Sequence, residues 1–386
     1  MSRRLLLSTA TVAVVAIVAT AIYFFVSSAE SDTVTIGEPL PTADIAATDV
    51  PAVFADADFY TTPWEAAPKG ADGVLLGLGQ HDDRLRFTAV RADGTELWHA
   101  DRPLACAGFT ITTAGDRPIA VLNDLVANDD GTLSPTASAL DLHTGETVWG
   151  PVDVPGPNYG PGLVYAGAPD EYFGEAGPLT ALDPATGKTV FAESDDTPLR
   201  IVGQFDGNLI LTDENTLTGQ DASGEHLWSY DADALPWSPD AAISVPGIDP
   251  GGRWAVIGTG QHDDGVLLDT VTGTVHAHNV SVAIGGDNTE TVAYLNHETL
   301  GVAADDGLKW QQPAHGRLLS AIGAFGLAAQ HGAGLEILSL DDGAPVHSDN
   351  TSALTPSSST AGGDHTATVL ATDDEQFFLA VSPAQP

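Results

Sequence analysis

Apolar and polar positions alternate along most of this chain in short runs, and the runs come in groups. Val74–Gly79, Leu85–Arg91 and Thr95–His99 read as three consecutive strands, and Leu199–Phe205, Asn208–Thr212, Thr216–Asp221 and His226–Tyr230 as a set of four. Thr366–Thr372 and Gln376–Ser382 predict two strands near the C-terminus, and Val34–Ile36 and Val53–Tyr60 two more before the first group. The pattern supports a long helix in one place only: Leu5 to Val26 carries no charge over 22 residues.

The strand groups are punctuated by a recurring turn. Seven times an Asp and a turn glycine lead into a strand that usually closes on an aromatic: Asp93, Gly94 and Trp98; Asp141, Gly145 and Trp149; Asp183, Gly187 and Phe191; Asp221, Gly224 and Trp228; Asp269, Gly273 and His276; Asp305, Gly307 and Trp310; Asp341, Gly343 and His347. A tight hairpin needs a residue with positive φ, which glycine supplies without a steric penalty, and the Asp carboxylate can accept from the turn's own amides. Phe191 and the two His are the weaker substitutes for a closing Trp that covers the space between units. From Gly94 to Gly343 the mean step is (343 − 94)/6 = 41.5 residues. A self-similar unit of about 40–45 residues and four strands predicts a β-propeller, the architecture also built by WD40-type repeats.

Residues 139–149 and 181–191 carry Ala-x-Asp-x-x-Thr-Gly-x-x-x-aromatic. This pattern resembles the pyrroloquinoline-quinone-like (PQQ-like) propeller repeat, and the similarity extends over about residues 50–386. The resemblance implies an all-β propeller. It leaves function open, because that family holds both quinoprotein dehydrogenases and non-catalytic scaffolds such as the lipoprotein that assists outer-membrane barrel assembly. The dehydrogenases use adjacent cysteines against the quinone and a calcium held by nearby acids. Here Cys106 is the only cysteine, so the resemblance favours the non-catalytic type, and no cofactor is expected. The pairs Asp56/Asp58 and Asp231/Asp233 leave room for loosely bound calcium only.

The propeller is expected over residues 49–386, and residues 50–386 divided by the mean step give close to eight units. An eight-bladed ring is therefore expected, with seven blades as the alternative, closed by pairing the C-terminal strands with the N-terminal ones in one composite blade. Such a joint removes exposed sheet edges. The apolar run, residues 5–26, is long enough to cross a bilayer as a helix. Arg3 and Arg4 place a cytoplasmic stub, residues 1–4, on the inner side and the propeller outside, beyond a linker over residues 27–48. Small residues at Ser27, Ser28 and Ala29 offer the competing reading of a cleaved signal and a secreted propeller.

Charge narrows the partners. The chain holds 13 basic and 53 acidic residues, a formal net charge of −40. Such a surface repels phosphate backbones, so nucleic acid is excluded as a partner. A second repetition marks candidate rim contacts. Gln80, His81 and Asp82 recur as Gln261, His262 and Asp263, echoed by Gln330 and His331, all ahead of the motif strand and so on the face opposite the Asp–Gly turns. Tyr159 stands in a Pro/Gly-rich loop, residues 155–162, as a further contact. No nucleophile elbow or zinc helix appears in the sequence. The expected function is a membrane-anchored, extracytoplasmic platform for a protein or small ligand. The rival classes are a quinoprotein-like or carboxylate-based enzyme and a sensor ectodomain reporting to a membrane partner.

Overall fold

The structure, a computed structural model, describes residues 33–46, 49–168, 176–194, 196–244, 252–260, 264–285, 290–297, 299–314, 316–322, 326–331, 334–349 and 353–384. Among them the fold is all-β, and the only helical turns are the 3-10 pieces Ala52–Phe54, Ala232–Ala234 and Pro239–Ala241. The expected anchor, residues 5–26, lies outside the described residues. No described helix is long and apolar enough to cross a membrane.

Every sheet is antiparallel and built mostly from sequential hairpins. The first contains Lys69–Ala71, Val74–His81, Arg84–Arg91 and Thr95–Pro103. The second contains Phe109–Ala114, Arg117–Ala127, Leu133–Asp141 and Thr147–Asp153, and the third only Val164–Ala166, Leu179–Leu182 and Thr189–Ala192. The fourth runs from Arg200–Phe205 to His226–Asp231. A seven-stranded sheet follows, from Ile243–Ser244 to Gly307–Pro313. Its long strand Val275–Gly285 pairs back through Val275–Val280 and forward through Val280–Gly285, and Asn279 between them has φ +57°. The sheet Arg317–Ile322 to Pro345–Asp349 comes next, and the last contains Thr355–Gly362, His365–Ala371 and Phe377–Pro383.

The two N-terminal strand readings part company here. Asp58–Thr61 joins the C-terminal sheet, pairing with Phe377–Pro383 as its outer strand. Thr33–Pro39, inside the stretch read as linker, instead adds a fifth strand to the outer edge of the first sheet, pairing with Thr95–Pro103. The start of the expected strand Val53–Tyr60 instead lies in a 3-10 turn, Ala52–Phe54, and the strand begins only at Asp58. The physical reason is local. Thr33–Pro39 exposes most of its residues and pairs along an edge, whereas Phe59 and Tyr60 each turn partly inward against the last sheet.

The core is layered between sheets. Val74, Leu76, Phe87 and Trp98 of the first sheet pack on Ile111, Ala120, Leu122 and Leu140 of the second. At the other end Leu75, Val90 and Ala92 of the first sheet pack on Ala367, Val369, Leu379 and Val381 of the last. Middle strands are therefore covered on both faces: Trp254–Gly258 and Gly265–Asp269 are buried at every position. This explains why they read as unbroken apolar runs, while outer strands such as His226–Asp231 are largely exposed. Each fully buried Ile, Leu or Val in these layers contributes about 1.5–3 kcal/mol relative to exposure. The first strands of neighbouring sheets adjoin one another, including Thr355–Gly362 against Lys69–Ala71, so they form the inside of the arrangement. Gly70 marks the closeness of that last approach, since a β-carbon there would sit 2.8 Å from the Ser359 carbonyl oxygen.

Candidate functional site

The recurrent motif residues hold one unit to the next. The indole Nε1–H of Trp98 donates to the Leu142 carbonyl at 2.9 Å, that of Trp149 to Pro184 at 2.7 Å, that of Trp228 to Thr270 at 2.9 Å and that of Trp310 to Leu340 at 2.9 Å. In each case the acceptor lies three residues before the turn glycine of the following motif. The ring covers that glycine: a β-carbon on Gly145, Gly187, Gly273 or Gly343 would sit within 2.4–2.8 Å of the preceding unit's Trp. These four glycines have φ between 69° and 73°, so both space and backbone require glycine there.

The partners of the turn acids divide into two sets. Asp141 Oδ1 accepts from the His143 and Thr144 amides, Asp183 Oδ1 from Ala185, and Asp269 Oδ1 from Val271 and Thr272. Asp93 accepts from Thr95 at 3.0 Å, and Asp221 from Ser223 and Glu225 at 2.8 Å. Asp305 and Asp341 serve differently. Asp305 pairs with Arg253 Nη1 at 2.7 Å and Asp341 with Lys309 at 2.9 Å, both reaching to another turn or strand. In the seventh motif Ser339 takes the acid's place, its hydroxyl accepting from the Asp341 and Asp342 amides.

The substitutes for Trp also behave differently. A β-carbon on Gly224, after Phe191, or on Gly307, after His276, would meet nothing within 4 Å. His276 packs edge-on against Trp254 of its own sheet at 4.9 Å. Gly94 has no motif aromatic before it, and Tyr60 from the outer strand of the last sheet covers it instead. The rule was present in the sequence: each closing Trp precedes a turn of the longer kind, with Asp or Ser four residues before the glycine. The shorter turns, at Gly224 and Gly307, follow Phe191 and His276, which carry no indole.

The rim opposite these turns holds the candidate contacts. Gln80 and His81 end the Val74–His81 strand, and Gln80 Nε2 donates to the Asp82 carbonyl at 3.3 Å across a turn in which Asp82 has φ +56°. His81 lies 3.9 Å from the Asp82 carboxylate, and all three are exposed. Gln330 pairs with Leu335, and His331 with Gly334 at the tip of its hairpin. Gln261, His262 and Asp263 lie outside the described residues. Tyr159 is half exposed, its amide donating to the Val164 carbonyl at 2.7 Å.

On the same rim, sequence reasoning missed an apolar group. Leu104, in the turn after the first sheet, is 52% exposed, Val126 and Leu133, on the two strands of the second sheet's hairpin, are 41% and 51% exposed, and the Tyr159 loop leaves the second sheet after its last strand. That loop is tied down by Thr110, which donates to the Gly162 carbonyl at 3.2 Å, and by Asn158, whose Nδ2 donates to Gly162 and Val164. Beneath, Arg86 forks onto Asp101 at 2.8 and 2.9 Å, a contact that raises the guanidinium and lowers the carboxyl. Arg102, 3% exposed, faces Asp124 at 3.4 Å, and burial lowers its guanidinium. Burial also pushes the Cys106 thiol up to about 11, which keeps it protonated and unreactive.

A cavity of about 190 Å³ lies where the first strands meet. Lys69, Thr110, Ile111, Thr112, Phe205 and Asp206 are among its lining residues. Lys69 donates to the Phe109 carbonyl at 2.8 Å and stands 4.6 Å from the centre of the Phe109 ring. Lys69 is exposed to this space, and desolvation by the surrounding protein lowers its ammonium from the ordinary value. Among the described residues no three His, Cys, Asp or Glu side chains are grouped to hold a metal ion.

Sheets of sequential hairpins, first strands innermost and four junctions latched by an indole, define a β-propeller. Residues 134–296 match the family described as outer membrane protein assembly factor BamB, and the PQQ-like repeat seen in the sequence is thereby shown over that segment. Comparison with curated protein sequences found no match. Similar solved structures include BamB from Moraxella catarrhalis, with 14% identity, TM-score 0.39 and coverage of 92% of this chain and 97% of that one. The computationally designed Ika8 protein is similar at 12% identity and TM-score 0.44, covering 82% of this chain and 95% of that one. A chain of the mitotic checkpoint complex follows at 11% identity and TM-score 0.42, covering 92% and 94%.

Proposed function

We propose that this protein is an eight-bladed, membrane-anchored propeller that acts outside the cytoplasm as a non-catalytic binding platform for a protein partner. The observation that carries the reading is the set of exposed apolar side chains at this end of the sheets, Val126 and Leu133 on the two strands of one hairpin and Leu104 and Tyr159 in connecting loops, in an otherwise strongly acidic molecule. Exposed apolar residues grouped on one face mark interaction sites, and large side chains on a stiff frame lose little entropy on binding. The family description supports a protein partner, since it names an assembly factor for other proteins.

Eight blades follow from reading the seven-stranded sheet as two units turned at Asn279. The packing favours this division, because Trp254, Val256 and Leu267 form a layer with Val280, Val292 and Tyr294 within that sheet. The anchor rests on the uncharged run from Leu5 to Val26 and on Arg3 and Arg4. Loosely held calcium has a place only at exposed acid pairs such as Asp56 and Asp58.

Crosslinking mass spectrometry on intact cells tests the platform. The wild-type chain is expected to crosslink to one protein through the rim, and Leu133→Asp with Tyr159→Ala to reduce that product at least tenfold. Equal crosslinking by the rim variant, folded and at equal abundance, would reject the rim as the contact.

A further inference from the structure

The cavity where the first strands meet contains a feature that the platform reading does not use. Lys69 is one of only three lysines in a chain with 53 acidic residues. Lys309 has a carboxylate partner, Asp341. Lys69 is held instead by neutral groups, a backbone carbonyl and the face of an aromatic ring. Both contacts fix the position of the ammonium without cancelling its charge. The acid that lines the cavity, Asp206, accepts a hydrogen bond from the Thr113 hydroxyl. An ammonium that opens onto this cavity, held by neutral groups and with no carboxylate paired to it among the described residues, gains from an anion that reaches it.

The surroundings select which anion. About 190 Å³ admits a small organic molecule, since a cavity of about 150 Å³ already holds benzene. Ile111, Pro161 and Phe205 give the wall an apolar part, and Thr110 and Thr112 a hydroxyl-bearing part beside Lys69. Asp206 and the net charge of −40 act against a multiply charged ligand such as phosphate. We propose that the central cavity binds a short-chain monocarboxylate, its carboxylate on the Lys69 ammonium and its alkyl part on Ile111, Pro161 and Phe205. The site is a small-molecule site that shares the 155–162 loop with the rim through Pro161, and its acetate test does not depend on the protein partner.

Three lysines make the test direct. In the full chain carrying ¹³C-labelled lysine, NMR resolves three side-chain signals, assigned with Lys188→Gln and Lys309→Gln. Titration with sodium acetate is expected to shift one signal saturably, with a midpoint in the millimolar range, and to raise the pH midpoint of that same lysine. Acetamide, the neutral isostere, is expected to do neither. Lys69→Met should abolish the saturable shift, and Lys69→Arg should restore acetate binding within about tenfold, read by calorimetry. An absent or non-saturable acetate response in the wild-type chain would overturn the proposal, as would an equal response to acetamide. Both of those outcomes are read on the wild-type protein and hold even if Lys69→Met does not fold.

Discussion

At the scale of single residues, the stabilising unit is an indole in one repeat and a turn in the next. Trp98 is fully buried and its Nε1–H meets the Leu142 carbonyl, so Trp98→Ala removes both packing and the hydrogen bond. It is expected to cost about 3–5 kcal/mol. Trp98→Phe keeps a ring but orphans a carbonyl, at about 1–3 kcal/mol. Phe191→Ala should cost less, about 1–2 kcal/mol, because Phe191 is half-buried and does not cover Gly224. Urea unfolding of the three variants checks this order, and equal losses would contradict it. His276 makes a second residue-scale prediction. Burial against Trp254 lowers its pKa from 6.5, and its Nε2 is buried with no hydrogen-bond partner among the described residues. The unfolded chain then binds the proton more readily, so this contribution is intact above pH 6.5 and is lost as pH falls below it toward the lowered value. The turn acid Asp269 titrates in a different window. Burial raises Asp269, but the Arg253 guanidinium and the Val271 and Thr272 amides outweigh it and hold the carboxyl below 3.8. Its contribution is therefore lost only in stronger acid. Unfolding midpoints measured at pH 7.5 and 5.5 should fall for the wild type and change less for His276→Phe. An unchanged pH dependence in the variant would refute the assignment.

At the scale of elements, the N-terminal segment clasps the seam between the first and last sheets. Thr33–Pro39 pairs with the outer strand of the first sheet, the Leu40 amide donates to the Gly94 carbonyl, and the Ala43 amide donates to Phe59 of the last sheet. Tyr60 then covers Gly94. Five register pairs join Thr33–Pro39 to its partner, so deleting residues 33–39 should cost about 1–3 kcal/mol. Hydrogen exchange should accelerate at the Thr95–Pro103 strand and stay unchanged at His226–Asp231, which already lies at a sheet edge. Much of the element pattern is legible in the sequence. Alternation marks Asn208–Thr212 with its observed bounds and Val74–Gly79 short by two residues, because side-chain period and Gly-bearing turns set strands locally. The destination of Thr33–Pro39 is not legible, since any short polar-apolar strand can pair at any free edge. The strand Thr355–Gly362, with its run of Ser and Thr, also gives no signal because it lacks the apolar alternation of its neighbours. Nor does Lys69, for a cavity forms only when first strands from several sheets meet.

At the scale of the whole molecule, two properties dominate: a core layered between sheets, and a formal charge of −40. Self-repulsion of that size destabilises the compact state, and salt shortens its range from about 30 Å at 0.01 M to about 3 Å at 1 M. The unfolding temperature is therefore expected to rise by several degrees between low and molar sodium chloride, and a fall would contradict the electrostatic account. The layered core implies that no sheet is stable alone, because each buries its apolar faces on its neighbours, the last on the first. The most direct test is native-state hydrogen exchange of the indole Nε1–H groups of Trp98, Trp149 and Trp228, which lie at three separate junctions. A closed ring predicts that all three exchange only through global unfolding, with one shared free energy equal to that from denaturant. Three distinct exchange energies, each well below the global value, would show sheets opening one at a time and would contradict the ring.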